Sequence, residues 1–145
     1  MKRRLLVILI GGLLLGADAP KSANKDHKQI RGIWKVVTSE KNGKKEKTKF
    51  THPKQIIKAD KITFLGPDGK ERLDFYLSYK LDTTKNPKHI DMTNEMTMQT
   101  VLGIYTLDGD SLRICAAPPG VDRPKEFKTT EGSGLGLMVF KREKR

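Results

Sequence analysis

From Ile30 to the end of the chain, short runs of β-branched and aromatic residues alternate with clusters of Gly, Pro, Asn and Asp, at a spacing of about ten residues. This rhythm is typical of antiparallel strands joined by tight connections, and no stretch carries a sustained helical period. The predicted strands are 33–39, 55–58, 61–65, 73–81, 89–92, 101–107, 112–117 and 137–142. The pattern therefore predicts an all-β protein whose strands follow one another as a meander.

The clearest predicted strand spans residues 73–81. Apolar side chains occupy every second position, and these are Leu73, Phe75, Leu77, Tyr79 and Leu81. The positions between them are Asp74, Tyr76, Ser78 and Lys80. Because side chains alternate between the two faces of a strand, this order predicts one packed face and one solvated face.

Turn signals separate the strands. Asn42-Gly43 and Asp108-Gly109 each suit a tight hairpin, because these residue types accept positive φ. In Gly66-Pro67-Asp68-Gly69, proline sets the first turn angle and the last glycine takes the left-handed conformation. These signals favour sequential hairpins rather than long crossovers.

The predicted strands number about eight and follow one another in hairpin order. An open sheet would leave two unpaired edges and one bare apolar face, and closure removes both problems. We therefore predict a single antiparallel up-and-down meander barrel over residues 30–143. A barrel of about eight strands is either filled by side chains or just wide enough to hold one small ligand. The sequence leaves these two alternatives open.

Residues 1–19 have the organisation of a secretory signal peptide. Basic residues at 2–4 precede an apolar run at 5–15, which is too short for a permanent membrane span, and small residues follow it. An uncleaved membrane anchor is the alternative. Residues 20–29 are polar and aperiodic, so we expect a flexible lead-in. The predicted location is secreted, periplasmic or in the cell envelope.

The charge balance bounds the choice of partner. The chain has 29 Lys and Arg against 17 Asp and Glu, a net charge of +12. An exported basic protein favours acidic polysaccharide or the envelope surface, and export argues against nucleic acid. One lysine-rich run contains Lys41, Lys44, Lys45, Lys47 and Lys49. It indicates either a solvated edge protected against pairing or a dedicated binding patch.

Cys115 is the single cysteine, so no disulfide forms within the chain. The fold must then depend on packing and strand pairing. The alternation in the predicted strand places Cys115 on the face of Arg113 and away from Leu112 and Ile114. A lone thiol of this kind is either buried or reactive.

Several motifs follow one another along the chain. They are Ile30-Arg31-Gly32-Ile33-Trp34, Tyr79-Lys80-Leu81-Asp82, Pro87-Lys88-His89-Ile90-Asp91, the run 103–112, Cys115, and Arg123-Pro124 with Phe127. As an ordered set they resemble the uncharacterised secreted domain family expanded in planctomycete bacteria. The resemblance covers nearly the whole chain after the signal peptide. It implies an exported, lipocalin-like (calycin-type) β-barrel and brings no established activity.

The Gly32-x-Trp34 element also resembles the first-strand signature of lipocalins. In that family the tryptophan closes one barrel end beneath a basic residue from the last strand. The resemblance assigns that basic residue to Arg142, so its guanidinium is expected to lie over the Trp34 indole. Such a contact is worth roughly 0.5 to 2 kcal/mol.

The sequence contains no catalytic or metal-binding constellation. The histidines, at positions 27, 52 and 89, lack metal-ligand spacing. Asp108-Gly109-Asp110 lacks the further ligands of a calcium loop and is explained by its hairpin. No local motif joins a Ser or Cys nucleophile to a base. We therefore expect no cofactor, no metal and no catalytic residues, and a hydrolase centred on Cys115 or a histidine ranks third among the interpretations.

These observations favour a non-catalytic extracytoplasmic binding module for a small apolar or amphipathic ligand. The candidate ligand-binding residues are Trp34, Phe75, Tyr79, Tyr105, Cys115, Arg123 and Arg142. The alternative is a basic adhesion or structural module that binds acidic polymers at the envelope. A monomer is favoured over an oligomer in both interpretations.

Overall fold

The computed structural model describes residues 21–46 and 53–144. The predicted signal peptide at 1–19 lies outside the described residues, as do Lys47, Lys49 and His52. The described elements are helix α1 (Lys21–Gln29) and strands β1 (Gly32–Lys41), β2 (Lys44–Lys45), β3 (Lys54–Ile57), β4 (Lys61–Leu65), β5 (Glu71–Asp82), β6 (Lys88–Asn94), β7 (Gln99–Asp108), β8 (Ser111–Ala116) and β9 (Gly136–Arg142). No helix in this part of the chain is long and apolar enough to cross a membrane.

The strands form one antiparallel sheet that closes on itself. Each strand from β3 to β9 pairs with the next one in the chain, and β1 pairs with both β3 and β9. Strand β2 adds only two residues beside the end of β1. The closed ring therefore contains eight strands. The predicted all-β, up-and-down antiparallel barrel is confirmed.

The strand bounds and hairpins agree closely with the sequence prediction. Each strand of the ring begins and ends within two residues of its predicted position. Asn42 and Gly43 have φ values of 52° and 78°, the left-handed conformation that these residue types accept. Asp108 pairs with Ser111 across the second predicted hairpin.

The barrel has two different ends. Helix α1 leads into the start of β1, and the β3–β4, β5–β6 and β7–β8 connections lie at that same end, because alternate connections of a meander share one end. The β1–β2, β4–β5, β6–β7 and β8–β9 connections lie at the other end. We call the end next to α1 the capped end and the opposite end the mouth.

Apolar side chains from all strands of the ring fill the barrel interior. The buried core residues are Ile30, Trp34, Val36, Ile57, Ile62, Tyr79, Ile90, Met92, Tyr105, Leu112, Ile114 and Phe140. Full burial of one large apolar side chain contributes about 1.5–3 kcal/mol, so this packing is the main source of stability. In this part of the barrel the interior is filled by side chains, which is one of the two alternatives that the sequence left open.

Strand β5, the clearest strand in the sequence, contains an irregularity. Opposite the single β4 residue Thr63 lie four residues of β5, 73–76. A bulge of this kind interrupts the alternation of side chains between the two faces. Leu73 is consequently 66% exposed, and its predicted place on the packed face is wrong. From Leu77 onward the strand presents its apolar residues to the core, as predicted.

The segment 20–29 contains a helix, so the predicted flexible lead-in is wrong for Lys21–Gln29. A helix this short has little stability of its own. Tertiary contacts hold it, since Asp26 is buried and the adjoining Ile30 has no exposed surface. These contacts come from strands distant in sequence, and a local pattern cannot indicate them.

Residues 117–135, between β8 and β9, cover part of the outer wall of the barrel. Ile104 and Cys115 lie opposite one another on the outward face, yet neither has exposed surface. The Lys128 carbonyl oxygen of the covering segment lies 3.9 Å from the Cys115 Sγ. The wall is therefore buried on both faces at this point.

Candidate functional site

Trp34 and Arg142 close the capped end. The Trp34 indole N–H donates to the Ile30 carbonyl at 2.7 Å, which ties β1 to the end of α1. The Arg142 guanidinium carbon lies 4.3 Å from the Trp34 ring centroid, as the resemblance to lipocalins implied. Arg142 also donates to the carbonyl of Arg31 at 2.6 Å and to that of Gln29. Both predicted site residues thus have a structural role at this end.

Asp26 anchors the helix over the capped end. Its Oδ2 accepts hydrogen bonds from the Tyr105 hydroxyl at 2.7 Å and from Lys88 Nζ at 2.8 Å. Burial, together with the bond to Asp26, raises the pKa of Tyr105. The polar tip of this predicted ligand-binding residue is therefore already engaged within the protein.

Tyr79 belongs to the same closure. Its hydroxyl donates to the Lys58 carbonyl at 2.5 Å, and its ring centroid lies 5.7 Å from that of His27. Burial raises the pKa of Tyr79 to about 12, so the phenol is neutral at physiological pH. Three of the four aromatic residues predicted to line a ligand site, Trp34, Tyr79 and Tyr105, thus form the capped end.

Phe75, the fourth predicted aromatic residue, lies at the mouth. The β5 bulge carries it beside Phe64, with the two ring centroids 5.3 Å apart. The structure therefore separates Phe75 from the aromatic residues of the capped end. A ligand at one end of the barrel would contact one group or the other.

Five partly buried apolar side chains surround the interior on the mouth side of the core. They are Phe64, Leu77, Val101, Ala116 and Met138, one from each of β4, β5, β7, β8 and β9. We call these residues the mouth ring. The mouth ring packs against the core, and each of its members keeps some exposed surface.

Two buried polar side chains face inward beside the mouth ring. Ser39 lies opposite Met138, and Gln55 lies opposite Phe64. Both Ser39 and Gln55 are buried. The Ser39 hydroxyl donates to the Glu46 carboxylate at 2.6 Å. The inner wall beside the mouth ring is therefore polar at Ser39 and Gln55, and the register also places Asn94, opposite Leu77, on this face.

Exposed apolar side chains form the rim of the mouth. Leu73, Met96 and Met98 are 66%, 70% and 69% exposed. The connection that carries the two methionines lies against the β5 bulge, because the Glu95 backbone N–H donates to the Tyr76 carbonyl at 3.5 Å. We treat these exposed apolar side chains as a candidate interaction surface.

The two remaining predicted site residues lie on the outer wall. Cys115 is buried beneath residues 117–135, and that burial raises the pKa of its thiol. Arg123 donates to the Gly103 carbonyl at 2.7 Å and lies 2.6 Å from the Asp91 Oδ1. These contacts fasten the covering segment to the barrel. Neither residue reaches the mouth ring.

His89 lies near Arg123 in a polar concavity of about 360 Å³ on the outer wall. Burial, and next the charge of Arg123, lower the pKa of His89. Within residues 21–46 and 53–144, no three His, Cys, Asp or Glu side chains are grouped as a metal site requires. The outer concavity therefore presents a charged surface without a metal-binding cluster.

Sequence reasoning missed the mouth ring and Gln55. The signal for Gln55 was present, because it lies two positions before Ile57 on a short strand and so shares the inward face. Met96 and Met98 had no such signal, since their exposure depends on the shape of the β6–β7 connection. Comparisons of the chain with protein-family models, curated proteins and solved structures found no match.

Proposed function

We propose that this protein is a non-catalytic, extracytoplasmic binding module that takes the apolar part of a small ligand at the barrel mouth. The mouth ring, with exposed Leu73, Met96 and Met98 on its rim, is the observation that carries the proposal. We further propose that the chain belongs to the secreted planctomycete domain family, and this membership would place the protein outside the cytoplasm. It does not supply a ligand.

The mouth is favoured over the lumen as the ligand site because the polar groups of the aromatic residues at the capped end already have hydrogen-bond partners. Trp34, Tyr79 and Tyr105 each use their polar atom in an internal hydrogen bond. A ligand entering there would have to break these bonds and displace the core. At the mouth, a ligand would cover apolar surface that is now in contact with water, which is favourable by about 25 cal/mol per Å².

The rim side chains are suited to a variable apolar surface. Methionine is unbranched and polarizable, so Met96 and Met98 can adapt to ligands of different shape. Met138 of the mouth ring adds a third such side chain beneath them. The class of ligand supported is therefore a small apolar or amphipathic molecule rather than one rigid, highly polar compound.

The test uses dimethylaminonaphthalene, an uncharged fluorophore whose emission rises in apolar surroundings. We expect the wild-type protein to bind it, and the double substitution Met96→Glu with Met98→Glu to weaken binding about tenfold, because two charges enter the rim. Val37→Glu is the matched control, since Val37 is exposed on the outer wall of β1. Absence of binding to the wild type, or equal loss in both variants, contradicts the proposal.

A second candidate function is adhesion to acidic polymers. Lys41, Lys44 and Lys45 are all exposed on the β1–β2 hairpin, which concentrates positive charge at the mouth end. Retention on an alginate column should fall steeply as salt rises above about 0.1 M, where the Debye length is about 10 Å. Substituting these three lysines by Gln should abolish retention.

The matched control for adhesion keeps the charge change and moves it elsewhere. It replaces Lys25, Lys125 and Lys141, which are exposed on other parts of the surface, by Gln. If both triple variants lose retention equally, net charge alone is responsible and the hairpin is not a binding patch. If the wild type is not retained at low salt, adhesion to acidic polymers is rejected.

A further inference from the structure

Among the described residues, Gln55 is the one polar side chain that combines deep burial in the barrel wall with an unpaired donor on the inward face. It is 8% exposed, and its neighbours across β1 and β4 are the inward-facing Trp34 and Phe64. Its Nε2 has no hydrogen-bond partner among the described residues. Two N–H donors on an amide are thus aimed into an apolar interior.

An unpaired donor in such a place is unfavourable in the ligand-free protein, because it has lost its bonds to water without replacement. An ordered water molecule would need two to four polar partners. The other buried side-chain atoms without a hydrogen bond are His27 Nδ1, at the capped end, and Asp91 Oδ1, which forms an ion pair with Arg123 on the outer wall. Gln55 Nε2 would therefore be the one unpaired side-chain partner for a water at this point of the wall.

We propose that Gln55 is the hydrogen-bond donor for a neutral carbonyl oxygen on an apolar ligand inserted through the mouth. A carbonyl oxygen accepts hydrogen bonds and donates none, and the N–H groups of the Gln55 amide lack an acceptor. This inference rests on the proposed function and names the chemistry of the ligand. It adds one polar contact to the otherwise apolar mouth ring and so would orient the ligand.

A carboxylate is disfavoured as the inserted group. Burying an anion requires a paired cation, and the guanidinium of Arg142 is already engaged over Trp34 and with Asp110. The facing neighbours Trp34 and Phe64 offer no charge. A ketone, ester or amide carbonyl carries no such penalty, and its single acceptor matches the amide of Gln55.

The test compares two fluorophores that differ in the carbonyl. Prodan carries a propionyl ketone on a dimethylaminonaphthalene ring, and dimethylaminonaphthalene lacks it. We expect Gln55→Leu, which keeps the size and removes the donor, to weaken Prodan binding about tenfold. The same substitution should leave the affinity for dimethylaminonaphthalene unchanged. Bound Prodan should also emit at longer wavelength in the wild type, because its carbonyl accepts a hydrogen bond there.

Gln29→Leu provides the matched control. Gln29 is the last residue of α1, at the capped end, and is exposed, so the same chemical change should affect neither fluorophore. If the wild type and Gln55→Leu bind Prodan equally, the proposed role of Gln55 is overturned while the proposed function stands. If Gln55→Leu weakens the binding of both fluorophores alike, the proposed role of Gln55 is likewise overturned. The substitution would then act on the mouth as a whole rather than on a hydrogen bond to the carbonyl. If the wild type binds neither fluorophore, the proposed function itself fails.

The ligand-free protein supplies a second measurement. Removing an unpaired buried donor should raise the melting temperature of Gln55→Leu above that of the wild type. A lower melting temperature would mean that the amide already has a partner in the folded protein, and the inference would be overturned. Gln29→Leu should have the melting temperature of the wild type, because the Gln29 side chain is exposed.

Discussion

The Arg142 guanidinium carbon lies 4.3 Å from the centroid of the Trp34 ring. The two residues come from the last and first strands of the ring, which pair with each other. The contact therefore joins the strands that close the barrel at the point where α1 covers it. Its energetic value can be measured independently of the hydrogen bonds that both side chains also make.

We predict a coupling free energy of roughly 0.5–2 kcal/mol between Trp34→Ala and Arg142→Ala in a double-mutant cycle. The physical reason is that the cation stabilises the fold through the ring face, which either substitution removes. Urea unfolding of the four proteins measures it. Lys141→Ala, on the exposed neighbour of Arg142, should show no coupling to Trp34→Ala. Additive effects of Trp34→Ala and Arg142→Ala would refute the contact.

Asp26→Ala should lower the free energy of unfolding by about 1–3 kcal/mol. The buried carboxylate bonds to Tyr105 and Lys88, and its removal leaves both donors without their acceptor. Thermal and urea unfolding measure the effect. Asp122→Ala, on an exposed residue, serves as the comparison and should change stability by less than about 0.5 kcal/mol. Equal effects of the two substitutions would show that α1 is not anchored by Asp26.

Stability should fall as pH rises above 10. Tyr79 has its pKa raised from 10.0 to about 12 by burial, so the unfolded chain loses this proton at a lower pH than the folded protein does. The contribution is therefore fully present below pH 10 and is lost between pH 10 and about 12. Tyr105, whose pKa is also raised, acts in the same direction.

The check is urea unfolding of Tyr79→Phe across that pH range. The variant should lose stability less steeply than the wild type, by up to about 1.4 kcal/mol per pH unit. Tyr76→Phe is the reference, because Tyr76 lies on the outward face of β5 and is exposed. If the free energy of unfolding falls with pH equally steeply in both variants, burial does not raise the pKa of Tyr79.

Cys115 should react slowly with Ellman's reagent in the folded protein. Burial disfavours the thiolate, which is the reactive form, and residues 117–135 cover the side chain. In urea sufficient to unfold the chain, the rate should rise to that of a free thiol. A fast reaction under native conditions would instead place Cys115 at the surface.

Leu73 and Leu77, on the same strand, should respond differently to alanine substitution. Leu73→Ala should change stability by less than about 0.5 kcal/mol, because the bulge exposes the side chain. Leu77→Ala should cost about 1–3 kcal/mol, since Leu77 packs against the core. Equal costs would mean that β5 keeps the uninterrupted alternation that its sequence indicates.

The contrast between these two leucines also marks what the sequence could predict. Period-two alternation and turn residues depend on neighbouring positions, so the strands, the hairpins and closure of the ring were predictable. The bulge depends on how β4 and β5 align, and the alternation of residue types within β5 does not indicate it. The same applies to α1, which is held by Tyr105 and Lys88 rather than by its own sequence pattern.

For the candidate site, residue type was a weaker guide than position. Aromatic side chains were chosen because they often line ligand sites, yet Trp34 and Tyr105 are engaged in closing one barrel end. Phe75 alone of that group reaches the mouth. The mouth ring required knowledge of which inward residues lie beyond the core, and that follows from strand register rather than from composition.

Pairing between β1 and β9 means that the ring cannot shut until the C-terminal strand is available. A chain released before Gly136 would retain two sheet margins with unpaired backbone N–H and C=O groups, and such margins recruit other chains. Closure of the barrel therefore depends on β9, the last strand of the ring.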